Sequence, residues 1–319
     1  MNITQLILKS IRVMYGKVFG ADHPITLRIS DPQTAGDLIY RYLMSDKPCM
    51  ITRFGAFELA TMVNYLGVRN GRPSLKKYIK GDAPDWWWNK KLLQYMQSNA
   101  GFFPSTPERI SQFCELMIRD AVKVDVLGSW LEDEWYFLEE LKNAVFIPGL
   151  FLEPFRADRP WTKALEGKTV LVIHPFAKTI QSQYLKREKI FENAGILPDF
   201  QLRTIKAVQS MGGNPEFPTW FEALEHMKSE IDKVDFDICL LGCGAYGFPL
   251  AAYIKDRGKK AVHLGGVLQL LFGIRGNRWE ASDYSHEFDY TSLMNEYWTR
   301  PNESEKPENA DKVEGACYW

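Results

Sequence analysis

The alternation of short apolar runs with helical patterns after Lys168 narrows the fold of this chain more than any other feature. KTVLVIHPF (168–176), FQLRTIK (200–206), DFDICLLG (235–242) and KAVHLGG (260–266) read as strands. The stretches between them read as helices: to about Asn193, from Thr219 to Lys233, from about Phe248 to Arg257, and on to Phe272. Strands that are nearly all apolar, each followed by a helix, imply a parallel sheet buried on both faces. The expected fold class is therefore α/β: a Rossmann-like, mainly parallel sheet covered by helices on both faces, with helical additions at the N-terminus.

The first half is less regular. Asp31-Pro32 suits the cap and first turn of a helix running to about Ser45. CMITRF (49–54) reads as a strand leading through Gly55 into a helix, AFELATMVNYL. Helices are expected around 84–99 and 107–122, strand and loop in KVDVLGSW (123–130), and a helix in WYFLEELKNA (135–144). The chain divides into an N-terminal helical segment (1–46), an N-terminal α/β half (47–160), a C-terminal Rossmann-like half (161–280) and an extended C-terminal tail (281–319). RPNESEKPENADKVEG (300–315) is polar and should run along the surface. The apolar end, Ala316-Cys317-Tyr318-Trp319, should dock into a groove near the site.

A 319-residue chain that is 45% apolar and 25% charged can build a sizeable core. With 39 Lys+Arg against 40 Asp+Glu, the net charge of -1 gives no global basic field for nucleic acid, which is excluded as a partner. The five cysteines are scattered without CxxC or zinc-type spacing and suit reduced structural thiols in a cytosolic protein. Lys9 and Arg12 interrupt the N-terminal apolar pattern, and no apolar run reaches about 18 residues, so a cytoplasmic location is expected, extending to the inner face of the membrane. Residues 2–18 place Ile3, Ile7, Ile11, Met14, Tyr15 and Val18 on one helical stripe. Such a stripe suits packing on the domain, contact with a second subunit in a homo-oligomer, or peripheral contact with a membrane surface.

Ligands of parallel α/β sheets sit at the carboxyl ends of the strands. Gly242-Cys-Gly244-Ala-Tyr-Gly247 matches GxGxxG between a strand and a helix. There, glycines serve either close approach of a nucleoside diphosphate or close helix–sheet packing. KAVHLGG ends in Leu264-Gly265-Gly266 with no carboxylate for a ribose, which disfavours a nicotinamide cofactor. Arg53 at a strand end and Glu58 on the following helical turn, separated by Gly55, could hold phosphate oxygens and accept a proton or meet a metal; an internal Arg–Glu pair is the plainer alternative. His174 follows a strand, with Lys178, Gln181 and Tyr184 on the next helix. Glu132-Asp133-Glu134 is the dense acidic cluster near a strand end. Trp86-Trp87-Trp88 cannot all point inward from one helical turn, so at least one ring should cover an adjoining segment.

Arg53-Phe54-Gly55-Ala56-Phe57-Glu58 resembles the RxGxxE form of the R-F-G-D-G-E segment of GT-D type bacterial glycosyltransferases. The LGCGAYG and HLGG segments are similar to that family's glycine-containing strand ends, and the likeness runs from about residue 47 to about 280. The resemblance implies transfer of a sugar from a nucleotide-sugar donor, with a UDP-sugar favoured, to a glycan or lipid-linked acceptor in surface polysaccharide or glycan assembly. It implies catalytic roles for Arg53, Glu58 and His174. It implies a donor site of Gly55, Lys178, Tyr184, Gly242, Gly244, Tyr246, Gly265, Gly266 and Gln269. A family Mn2+ or Mg2+ would find Ala56 where the motif has its Asp, leaving Glu58, with Asp133 and Glu134 as candidate co-ligands. The competing functions are a non-catalytic nucleotide-sugar-binding subunit of a glycan assembly complex and a nucleotide-dependent oxidoreductase.

Overall fold

A computed structural model of the chain describes residues 3–20, 25, 27, 29–210, 216–281, 288–306 and 318. Seven strands form one parallel sheet: β1 (Cys49–Thr52), β2 (Val126–Ser129), β3 (Val145–Pro148), β4 (Thr169–His174), β5 (Gln201–Lys206), β6 (Ile238–Leu241) and β7 (Lys260–His263). Their order is β3-β2-β1-β7-β6-β4-β5, and every pairing is parallel. This is the α/β, Rossmann-like arrangement the apolar runs imply. The two halves of the chain share the sheet through the β1–β7 pairing, in which Met50 lies opposite Ala261 and Ile51 opposite Val262.

Each central strand buries both faces, which is why its sequence does not alternate with polar residues. Leu171 and Ile173 of β4, with Cys239 and Leu241 of β6, join one apolar cluster; Val170 and Val172, with Ile238 and Leu240, join the other. Helices α3 (Ala56–Asn70), α5 (Lys90–Ser98), α6 (Pro107–Ala121), α9 (Trp220–Asp232) and α10 (Gly247–Asp256) cover the first face. Helices α2 (Pro32–Met44), α7 (Ala177–Tyr184) and α8 (Arg187–Ile190) cover the second. At the sheet edge β5 is only half-buried, and its Arg203 and Lys206 blunt further pairing. Cys49, Cys114, Cys239 and Cys243 are buried free thiols, while Cys317 lies outside the described residues.

Several boundaries differ from the sequence reading. The helix expected around 84–99 begins only at Asn89, its cap. The Asn64 side chain donates to the carbonyls of Asp85 and Trp87 and accepts from the Asn89 N–H, so the triple-Trp stretch is held as irregular chain. The helix expected at 135–144 is a 3₁₀ segment, Glu132–Phe137, followed by turns and the edge strand β3. A short helix, α4 (Leu75–Lys80), capped by Ser74, also forms.

α1 (Ile3–Phe19) lies against α4 and, through Lys9, against the Trp87 ring. Arg12 donates to the carbonyls of Ala83 and Gly81 and stacks over Tyr78. Lys9 pairs with Asp85. Of the expected stripe, Ile3, Ile7, Ile11, Met14 and Val18 face away from the body while Tyr15 is part-buried, and α1 has no fully buried residue. No helix among the described residues is long and apolar enough to cross a membrane.

The segment expected as an extended tail returns to the body over 288–306, where Tyr290, Trp298 and Glu305 are buried. The Glu305 carboxylate accepts the N–H groups of Lys178 (2.7 Å) and Thr179 (3.0 Å), together with the Thr179 hydroxyl. It thereby satisfies the orphan donors at the start of α7. Replacing Glu305 with Ala should strand those donors and lower stability by about 1–3 kcal/mol in a urea titration, whereas Glu303→Ala, on the exposed side of the same turn, should leave the midpoint unchanged.

Candidate functional site

Connections leave the four central strands alternately toward opposite faces of the sheet. α3 follows β1 and α10 follows β6 onto one face; Leu268–Leu271 follows β7 and α7 follows β4 onto the other. Diverging connections open a crevice at the strand ends. Here it is a cavity of about 500 Å³. Of the residues expected to act, Arg53, Gly55, Glu58, His174, Gly242, Gly244, Tyr246, Gly265, Gly266 and Gln269 line it together.

Arg53 follows β1 and lays its guanidinium 4.4 Å from the centroid of the Trp130 ring. That indole is fixed from below by its Nε1–H, which donates to the Phe54 carbonyl at 2.9 Å. Burial raises the carboxyl pKa of Glu58, Glu134 and Glu153, and the Arg53 charge opposes the shift in all three. Glu58, in the first turn of α3, folds back over Gly55, whose Cβ position would coincide with its carboxylate. Only glycine leaves that room. Glu153 reaches the cavity from the turn after β3, held by Arg156 at 2.6 Å and by the Tyr290 hydroxyl at 2.9 Å.

His174 ends β4 fully enclosed, and burial pushes its pKa down to about 3. Its Nδ1 accepts the Phe176 N–H at 3.0 Å, so Nε2 carries the proton of a neutral ring. It is thus a neutral donor, with no charge of its own for a phosphate. His263, at the end of β7, is the counterpart that sequence reasoning passed over. Its Nδ1 lies 3.0 Å from the Thr52 hydroxyl on β1, and burial with the nearby Arg53 charge holds its pKa down at about 3. The available signal was its position as the last strand residue before Leu264-Gly265-Gly266.

The glycine loops divide by function. A Cβ on Gly242 would sit 2.7 Å from His174 Cδ2 and 2.8 Å from the Gly265 carbonyl, and one on Gly247 would strike the His263 ring. Gly244 and Gly265 hold φ of +57° and +67°, where L side chains are strained. At the far end of the cavity stands Tyr318, where the docked end is expected; Ala316, Cys317 and Trp319 lie outside the described residues. Arg278 donates to its hydroxyl at 3.0 Å and Gln269 Nε2 to its carbonyl at 3.3 Å. Gln269 Oε1 remains buried without a hydrogen-bond partner, an acceptor in the cavity wall.

Lys178 and Tyr184 are not part of this site. The Lys178 side chain is exposed outside the cavity, and its backbone N–H is taken by Glu305. Tyr184 faces the core from α7, its hydroxyl bonded to the backbone of Phe200. The carboxylates considered for Mn2+ or Mg2+ do not converge either. Glu134 binds the Trp130 and Leu131 N–H groups, and Asp133 lies outside the cavity near Arg12. No cluster of three or more His, Cys, Asp or Glu suited to a metal occurs among the described residues. Neither Asp133 nor Glu134 therefore joins Glu58 in the cavity.

Compared with known proteins, the chain matches no family model, no curated protein and no solved structure.

The buried histidines make acid stability a direct readout of this geometry. Each stays neutral in the folded state down to about pH 3 but takes a proton in the unfolded state below its usual 6.5. Their contribution to stability is complete above about 6.5 and is lost as the pH falls toward 3. His174→Asn should flatten the slope of unfolding free energy against pH by about one proton, or about 1.4 kcal/mol per pH unit, between about pH 4 and 6. Equal slopes in the two proteins would mean that His174 titrates normally.

Proposed function

We propose that the chain is a glycosyltransferase that moves a sugar from a nucleotide-sugar donor, a UDP-sugar in the first instance, to a glycan or lipid-linked acceptor. The observation that carries this reading is Arg53: a guanidinium at the end of a central strand, supported on Trp130, inside a cavity bordered by the Gly242–Gly244 and Gly265–Gly266 loops. The likeness of Arg53–Glu58 to the RxGxxE segment of GT-D enzymes points the same way.

The chemistry follows from the groups present. The Arg53 fork pairs with diphosphate oxygens and stabilises the charge left on the departing nucleotide as the sugar–phosphate bond breaks. His174 offers a proton-bearing nitrogen to a phosphate or sugar oxygen without adding a charge. Glu58, with its proton affinity raised by burial, takes the proton of the acceptor hydroxyl as that oxygen bonds to the anomeric carbon.

Calorimetric titration with UDP, GDP, ADP and NAD should show binding of a nucleoside diphosphate in preference to NAD; the reverse preference refutes the proposal in favour of an oxidoreductase. Arg53→Lys keeps the charge beside the buried carboxylates but loses the fork, and should weaken diphosphate binding about tenfold. Glu58→Gln should retain donor binding and lose roughly 100-fold or more in sugar transfer, assayed with and without Mn2+. Gly55→Ala should match it, because the new methyl displaces the Glu58 carboxylate. A donor bound tightly yet never consumed would instead indicate a non-catalytic binding subunit.

A further inference from the structure

On α1 the longest apolar stripe is turned away from the body. The inner side of the helix carries the part-buried Leu8 and Tyr15 together with two cations: Lys9 pairs with Asp85 and lies 5.9 Å from the Trp87 ring centroid, while Arg12 stacks over Tyr78 and donates to two backbone carbonyls. Its outer side is a continuous stripe of Ile3, Ile7, Ile11, Met14 and Val18, each between 41% and 78% exposed. Phe19, at 70%, closes the end of the helix, and Leu75 of α4 stands exposed beside it. Isolated exposed apolar side chains are ordinary, but a helix-long stripe of them marks a contact surface.

The charges around the stripe identify the partner. Residues 1–20 and 69–81 contain eight Lys or Arg and no Asp or Glu, in a chain whose net charge is -1. Of these, Lys17, Arg72, Lys76, Lys77 and Lys80 are exposed. Of the neighbouring acids, Asp85 is part-buried against Lys9, while Asp82, Glu132 and Asp133 are exposed, so the exposed cations outnumber the exposed acids beside them. A second copy of the chain docked through this face by a two-fold axis would set the lysine rims against each other. An apolar stripe flanked by an excess of exposed cations instead complements an anionic bilayer, with the side chains entering the acyl boundary and the lysines at the headgroups.

We propose that α1, with the lysines of α4, forms a monotopic surface that seats the protein on anionic phospholipid. The surface is separate from the cavity and does not depend on the reaction proposed for it.

Co-sedimentation of the full-length protein with extruded vesicles tests this. Phosphatidylcholine vesicles containing one-quarter phosphatidylglycerol should bind at least about tenfold more tightly than pure phosphatidylcholine, with the difference shrinking in high salt. The double variant Ile7→Asp/Met14→Asp should lose about tenfold or more in binding, and Lys76→Glu/Lys77→Glu/Lys80→Glu should lose the preference for anionic lipid. All variants should keep the wild-type melting temperature and nucleotide affinity. Equal recovery with both vesicle types, or none with either, overturns the proposal. So does a concentration-dependent dimer in light scattering that Ile7→Asp/Met14→Asp abolishes while vesicle binding stays unchanged, since the stripe would then be a self-association face.

Discussion

The parallel pairing of β1 with β7 is the contact on which the site depends. It joins the last strand of the sheet-forming chain to the first, and without it each half would carry an open sheet edge. Its register sets Thr52 beside His263, and the hydrogen bond between them ties the two strand ends just below Arg53. The His263 ring in turn occupies the space that a side chain on Gly247 would need, so the start of α10 is positioned by the same bond. One strand pairing thus aligns the Arg53 turn, the β7 loop and the GxGxxG loop around a common cavity.

Electrostatics limits where an anionic ligand can sit. Helix N-termini are the usual anion sites of such folds, but here two are already served by the chain's own carboxylates: Glu305 at α7 and Glu58 at α3. The remaining cation at the centre is Arg53, which already moderates three buried carboxyl groups. Removing its charge outright would also remove that opposing influence on the buried carboxyl groups, so such a change would not report on ligand binding alone. Arg53 therefore has two roles that can be separated only by a substitution that keeps the charge.

The sheet was legible because a strand buried on both faces announces itself as a short apolar run, and five of the seven strands do so clearly. The edge strand β3 does not: four residues give no period, and WYFLEELKNA before them carries a helical pattern that the Glu134 carboxylate diverts into a 3₁₀ turn by binding the Trp130 and Leu131 N–H groups. Missing β3 also hid Glu153, which reaches the cavity only because that strand exists. Arg53, Glu58, His174 and the glycines were found because they sit directly after strands. Lys178 and Tyr184 were misassigned because helical spacing alone does not say which face of α7 meets the sheet. Glu305 lies 126 residues from the Thr179 N–H it accepts, a distance in sequence at which no local pattern can report the contact. The α1 stripe was visible as a period, but its direction was set by Arg12 and Lys9 finding carbonyls, rings and a carboxylate on the body.

The GxGxxG match illustrates how a motif can be correct and its usual explanation incomplete. Two of its three glycines, Gly242 and Gly247, are demanded by the buried rings of His174 and His263, whatever the cavity binds. The third, Gly244, is required by its left-handed backbone. None of the three is therefore evidence, by itself, for a phosphate cradle. What the packing glycines accomplish is to let two neutral histidines stand at the ends of β4 and β7, on either side of β6, without displacing the loops above them. Two guanidinium groups, Arg53 at the end of β1 and Arg278 beside Tyr318, supply the positive charge of the cavity lining. A diphosphate ligand is therefore proposed on the position of Arg53 more than on the glycine spacing.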